Sequence, residues 1–360
     1  MEANATGQRW KNPGHRDVLA VMKKIGFLNF GHWSSVPGSR TPDAGATLGQ
    51  TIEMAVAAEE AGLDGAWIRS HHFQNMLSAP FPLLAAMGAA TKTIDLGTGV
   101  IDLRYENPLY MAEEAATADL ISGGRLQLGI SRGSPEAARD GQHQFGYDLQ
   151  PGQSWSELAQ ARGERFRDAI SGGLVAHADP DSGWAQPGQE KLAIQPQSPG
   201  LVDRIWWGSG NTTSGVRAGE QGYNLLSSTL LLQDDGRPFH VQQADQIAQY
   251  RQAYAASGHT TGGMTAVTRS VFPIVSAQDD MYFGGRRERS DSSGHLEGGK
   301  ARGGPTYSGT FDEVVELLRA DEAVQSADYV LMANPNQLGV EYNAHLFTQW
   351  AEVAQALGWK

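Results

Sequence analysis

A chain of 360 residues can bury a large core without staples, and its lack of cysteine excludes disulfide scaffolds, cysteine-bound metal sites and thiol nucleophiles. Its 28 basic residues face 40 acidic ones, a net charge of −12, which argues against a general partner for nucleic acid or an anionic membrane. The opening residues through Asp17 are polar and lack the core of a signal peptide, and no later apolar run could span a bilayer, so a soluble cytoplasmic protein is expected.

From there the pattern alternates strand and helix. Lys24 to Phe30 (KIGFLNF) reads as a first buried strand, followed by a Gly/Pro/Ser loop through Gly45. Thr47 can cap a helix carrying Leu48, Ile52, Ala55, Val56 and Ala58 at helical spacing, and Gly62 stops it. Gly65 to Ser70 is a second strand, Pro80 to Lys92 a helix, and Ile94 to Ile101 a third strand. Asn107-Pro108 reads as cap and first helical position, where proline's missing N–H costs nothing, and Gly123-Gly124 ends that helix. In Arg125 to Ser131, Leu126, Leu128 and Ile130 alternate with Gln127, Gly129 and Ser131, the period of a fourth strand. A helix from Trp155 to Ile170 follows. Strands five to eight fall at Arg204–Gly208, Tyr223–Ser227, Thr265–Val275 and Asp328–Met332. Helices running to Gln221, over Val241–Ala256 and over Phe311–Ala320 separate them, and Asn343 caps a last one.

This alternation predicts an α/β chain folded as one closed (β/α)8 TIM barrel over 1–360, with an N-terminal extension (1–23) and insertions at 176–200 and 277–308. An open doubly wound sheet is the rival. The turn after its first strand should carry a Gly-rich dinucleotide pattern, which NFGHWSSVPG does not.

A barrel puts reactive groups at the C-terminal ends of its strands. His71 and His72 follow strand two and could serve as acid, base or hydrogen-bond donor, or simply bond the backbone. Adjacent residues leaving a strand point to opposite sides, and the His-x-His spacing of metal-dependent barrels is absent, so no metal is expected. Gly97 and Gly99 share a face of strand three, which suits either a flat ring against the backbone or a tight bend. Arg132 follows strand four, and Gly208 to Thr213 (GSGNTT) leads into a helix. An arginine fork beside a helix N-terminus could hold a phosphate, although without the arginine Asn-Thr-Thr reads first as an ordinary cap. The cluster Arg286, Arg287, Arg289, Lys300 and Arg302 reads as a solvated loop or, functionally, a lid over the barrel mouth. Trp206-Trp207 and Tyr282-Phe283 read as packing.

Taken together, GLDGAWIRSHHF and TKTIDLGTGVIDLRYENPLYMAEEAATADLISGGRLQLGISRG (within Gly62 to Gly133) resemble the bacterial luciferase-like flavin-dependent monooxygenases, and a looser likeness runs on from Val202 to Ser228. The resemblance implies a flavin-dependent monooxygenase that takes reduced FMN from a separate flavin reductase and uses dioxygen on a small organic substrate, as a homodimer. A deazaflavin coenzyme used for hydride transfer, or flavin binding without turnover, are the alternatives on the same fold. Residue by residue, His71 matches the catalytic histidine beside the flavin and His72 its neighbour. Gly99-Val100 matches a non-proline cis peptide behind the ring. Arg132, Gly133 and Ser134 match the phosphate clamp, with Gly210, Asn211 and Ser214 as its helix-side half. Ser131 stands where luciferase has a reactive cysteine, and Ser70 where it has a glutamate. His32, Asp102, Arg104 and Tyr105 fall among the substrate-facing loops, and the polarity of Asp102, Arg104, Tyr105 and Glu106 against luciferase predicts neither a long-chain aldehyde substrate nor light emission.

Overall fold

The computed structural model describes residues 22–134, 136–184, 186, 188–260, 262–285, 291–296 and 299–360. The expected N-terminal extension up to residue 21 and Arg286, Arg287 and Arg289 of the basic cluster lie outside the described residues. Eight parallel strands form the barrel: β1 (Lys24–Asn29), β2 (Gly65–Ile68), β3 (Asp95–Asp102), β4 (Leu126–Ser131), β5 (Ile205–Ser209), β6 (Asn224–Ser227), β7 (Thr265–Pro273) and β8 (Tyr329–Ala333). Neighbours in the chain are neighbours in the ring, and Lys24 of β1 pairs with Tyr329 of β8 to close it. The helices α1 (Ala44–Glu60), α2 (Pro80–Ala90), α3 (Pro108–Ser122), α4 (Trp155–Ile170), α5 (Thr212–Glu220), α6 (Phe239–Ala256), α7 (Phe311–Ala320) and α8 (Gly339–Ala356) follow the strands in turn.

Strand alternation decides the layers. Leu126, Leu128 and Ile130 join the large outer core against the helices, while Gln127 points inward to accept a hydrogen bond from Trp206 Nε1 at 2.9 Å. A second core fills the barrel itself with Trp67, Trp206 and Tyr329 in edge-to-face contact and with Leu28, Val100, Leu226, Ala266 and Leu331 around them. Tyr329 opens β8 and Trp206 is second in β5, so these large rings occupy the N-terminal part of the barrel. Gly97 belongs to this packing: a Cβ there would lie 2.3 Å from the Trp67 ring.

Two caps differ from expectation. Helix α1 begins a turn earlier than Thr47, because the Asp43 carboxylate accepts from Ala46 N, and Thr47 Oγ1 donates back to Asp43 O. Asn343 sits inside α8 rather than capping it. Its Nδ2 donates to Pro335 O and Gly339 O while its Oδ1 accepts from Asn334, which makes it a buried clamp. The insertions carry structure of their own. Leu174–His177 pairs with Lys191–Ala193 as a hairpin. Within 277–308, Ser292–Leu296 pairs with Gly299–Gly303, whose far edge pairs with Leu230–Leu231, and Thr306–Gly309 runs parallel to the end of β7. Of the basic cluster, Arg302 is not a free solvated cation: it pairs with Asp234 at 2.9 Å and Asp291 at 3.0 Å. Among the described residues no helix is long and apolar enough to cross a membrane.

Glu59 ties α1 to the turn before β3. Partial burial opposes its charge, but N–H groups of Thr93, Ile94 and Lys92 and the Thr93 hydroxyl hold its carboxyl down at about 2. A depressed carboxyl contributes stability above its unfolded pKa and loses it as pH falls toward the folded value. Glu59→Gln is expected to cost about 1–2 kcal/mol at pH 7. In urea unfolding, the gap between the two proteins should close between about pH 4.5 and pH 2; a gap that is constant across that range would show that the charge plays no part.

Candidate active site

Above the aromatic filling, a cavity of about 350 Å³ opens at the C-terminal mouth of the barrel. That is within the range of small-ligand sites, roughly 300–1,000 Å³. Its floor is apolar (Leu28, Phe30, Val100, Leu226), and Arg69, His71 and Arg132 are its basic side chains. Ser131, Ser134, Ser209 and the Ser227–Thr229 loop complete the wall. A larger, open cleft of about 810 Å³ lies outside the barrel against α1 and α8, with Arg40, Glu53, Tyr282 and His345 on its walls. It contains no residue of a strand end, so the barrel mouth is the candidate site.

The loop after β4 is shaped from below. Gly133 has φ +87°, its N–H donates to Ser131 Oγ at 2.8 Å, and a Cβ there would lie 1.9 Å from Asp102 Oδ2. Asp102 in turn is gripped by Arg104, whose Nη2 donates to Asp102 at 2.6 Å and to Ser134 O at 2.6 Å. Asp102 and Arg104 therefore brace the loop that carries Arg132 and do not line the cavity. Across the mouth, β5 delivers Gly208, Ser209 and Gly210 to the wall. Asn211 caps α5, its Oδ1 accepting from Ser214 N at 2.8 Å, and Ser214 Oγ accepts from Trp207 Nε1. Asn211 and Ser214 thus shape the helix start, while Gly210 is the residue of the three that faces the cavity.

The two histidines part company. His71 enters the cavity wall; its Nδ1 lies 3.1 Å from Glu136 Oε1, and its Nε2 accepts from Arg69 Nε at 2.7 Å. Because a guanidinium can only donate, Nε2 is the acceptor and Nδ1 carries the proton facing Glu136. Burial works to raise the Glu136 carboxyl, but His71 and Gln74, which donates at 2.9 Å, hold it below the usual range. Arg69 also donates to Gly99 O at 3.2 Å and to Ser134 Oγ at 3.0 Å. The Gly99-Val100 peptide is cis, and both residues line the cavity. His72 turns away and stacks on Tyr105 with ring centroids 4.1 Å apart, beside Phe145, and burial pushes its imidazole below the usual pKa. His32 stacks on Phe30 at the edge of the site, its pKa lowered by burial and by nearby His71.

Sequence reasoning missed Arg69, Glu136 and the Ser227–Leu232 wall. Arg69 had a readable signal: it is two residues before His71 in an extended segment, so both side chains leave on the same side. Glu136 had none, because a loop brings it back to His71 from beyond β4.

A polar rim over an apolar floor, with an imidazole on one wall, sits at the strand ends of a closed barrel. Residues 28–282 match the luciferase-like monooxygenase family, and the chain belongs to this family of flavin-dependent oxidoreductases. It is 27% identical over 315 residues to the oxygenase component of the flavin-dependent trigonelline monooxygenase of Acinetobacter baylyi, covering 78% of this chain and 81% of that one. A shorter stretch of 126 residues is 35% identical to an F420-dependent glucose-6-phosphate dehydrogenase of Amycolatopsis mediterranei, about a third of each chain (33% and 34%). In fold, the chain matches the oxygenating constituent of 3,6-diketocamphane monooxygenase from Pseudomonas putida, solved with FMN. The TM-score is 0.66 with 18% identity, over 92% of this chain and 96% of that one.

The packing at Gly133 makes a testable statement. Gly133→Ala is expected to destabilise by about 2–4 kcal/mol, against about 1 kcal/mol for Gly152→Ala, because both have positive φ but only Gly133 has an atom in the way. Urea unfolding of the two variants measures this, and equal losses would mean that Asp102 moves aside freely.

Proposed function

We propose that this chain is the oxygenase of a two-component flavin system, acting in the cytoplasm on a small organic substrate with reduced FMN from a separate reductase and with dioxygen. The observation that carries this reading is convergence. Arg132, Gly133 and Ser134 from the end of β4, Gly210 at the start of α5, the cis Gly99-Val100 peptide and His71 all line one cavity. The residues fit the group: an apolar floor suits a flat ring, and an arginine with small, hydroxyl-bearing neighbours at a helix N-terminus suits a phosphate. Arg132, Gly133, Ser134 and Gly210 would hold the phosphate, and Gly99-Val100 would back the ring. Reduced FMN supplies the electrons that activate dioxygen.

The chain's own residues supply position and protons. His71 keeps its Nδ1 proton against Glu136 while its Nε2 accepts from Arg69 Nε, so a proton is taken at Nε2 once that guanidinium turns to another acceptor, and Glu136 stabilises the imidazolium that results. Leu28, Val100 and Leu226 keep water off the floor. The deazaflavin reading rests on the stretch shared with the F420-dependent dehydrogenase, since phosphate and ring contacts would serve either coenzyme. Helix α3 supports the homodimer: Tyr110, Leu120 and Ile121 are large apolar side chains exposed along it.

Anaerobic titration with reduced FMN and, separately, with the deazaflavin, followed by admission of air, tests the reading: tight FMN binding and oxygen consumption are expected. His71→Ala should keep FMN affinity and lose turnover by roughly 10²–10⁴-fold. Unchanged turnover would remove His71 from the chemistry. Arg132→Ala should weaken FMN by roughly tenfold or more while sparing riboflavin, which lacks the phosphate. Light scattering should give twice the chain mass of 38.7 kDa, and Leu120→Glu should halve it.

A further inference from the structure

We infer that the substrate of this site carries a carboxylate and that Arg69 receives it; the inference rests on the flavin-site reading above and adds the substrate's chemical class. A guanidinium has five N–H donors and stays charged at any working pH. Arg69 makes three hydrogen bonds, and all three acceptors are neutral: His71 Nε2, Gly99 O and Ser134 Oγ. Among the described residues no carboxylate bonds to it. The two whose charge it feels are already engaged, Glu136 by His71 and Gln74, and Asp102 by the Arg104 fork. Among the described residues lining the cavity there is neither aspartate nor glutamate.

Four other arginines show two ways in which this chain settles such a charge. Arg269 pairs with Asp321 at 2.7 Å, Arg204 with Asp119 at 2.7 Å, and Arg104 with Asp102 at 2.6 Å. Arg125 has no carboxylate either, but its N–H groups go to Ser122 O, Thr91 Oγ1, Ile94 O, Gly88 O and Thr91 O, so its fork is spent. Arg69 has neither solution. It stands on a cavity wall with donors in reserve and, among the described residues, no carboxylate hydrogen-bonded to it, and withdrawing a charge from water is costly unless something pairs with it directly. An anion arriving with the ligand completes the set, and a planar carboxylate matches the fork.

The neighbours describe the rest of the molecule that would bind. The Arg69 guanidinium lies 5.7 Å from the Phe30 ring centroid, and Leu28 and Leu226 continue that apolar surface. A small acid with an aromatic or aliphatic body, its carboxylate on Arg69, would lie beside His71, whose Nε2 is 2.7 Å from Arg69 Nε. A guanidinium fork also matches a phosphate, and the experiment separates the two anions.

The test is calorimetric and spectroscopic titration of the FMN-loaded protein with benzoate against benzamide, and with heptanoate against heptanamide. The acids are expected to bind at least tenfold more tightly than their amides. Arg69→Gln should erase that preference while changing FMN affinity less than threefold, and Arg69→Lys should keep part of it. Acids that fail to bind, or that bind no better than their amides to the wild-type protein, overturn the inference without needing any variant to fold. So does an Arg69→Gln protein that loses FMN but not riboflavin, since Arg69 then serves the cofactor phosphate. A wild-type protein that binds no FMN overturns the flavin reading itself, and this inference with it.

Discussion

A closed ring of eight strands has an inside that must be filled, and the way this chain fills it decides where ligands can go. Trp67, Trp206 and Tyr329 meet edge to face in the N-terminal part of the barrel, and small residues make room for them: a Cβ at Gly65 would lie 1.7 Å from the Tyr329 hydroxyl oxygen. Three such rings bury far more area than the aliphatic layers they replace. What remains unfilled is the upper end, floored by Leu28, Val100 and Leu226. The site is thus a remainder of core packing, rimmed by whatever the strand ends carry.

That division also explains what could be read from the amino-acid sequence. Period-two alternation is a direct image of inside and outside in a barrel, so Leu126, Leu128 and Ile130 were separable from Gln127, Gly129 and Ser131 at once. Strand ends were legible for the same reason, and with them His71 and Arg132. The glycine pair of β3 was half legible: both face inward, but Gly97 makes way for Trp67 and only Gly99 borders the cavity. Asp102, Arg104 and Tyr105 had the right address and a different orientation. They lie behind the β4 loop or under His72, because charge pairing and ring stacking satisfied them locally. Glu136 was out of reach, since its meeting with His71 depends on a loop whose path no periodicity describes.

Net charge and local charge point in opposite directions here. The chain carries −12 overall, yet the mouth of the barrel presents two arginines and a histidine. Pairs such as Asp119 with Arg204 and Asp321 with Arg269 cancel, so the net negative charge rests on carboxylates outside such pairs. An acidic exterior around a cationic well can admit a small anion while discouraging polyanions, because field lines are focused within the cleft.

The hairpin of the second insertion does more than decorate the surface. Its strand Gly299–Gly303 shares a ladder with Leu230–Leu231, Arg302 pins it to Asp234, and Leu230 is itself part of the cavity wall. Backbone pairing transmits register, so a one-residue change of length in that hairpin would slide the rung that sets the wall's position. Anyone exchanging this insertion with that of a relative to redirect selectivity would therefore have to transplant residues 230–235 along with it, as one cassette.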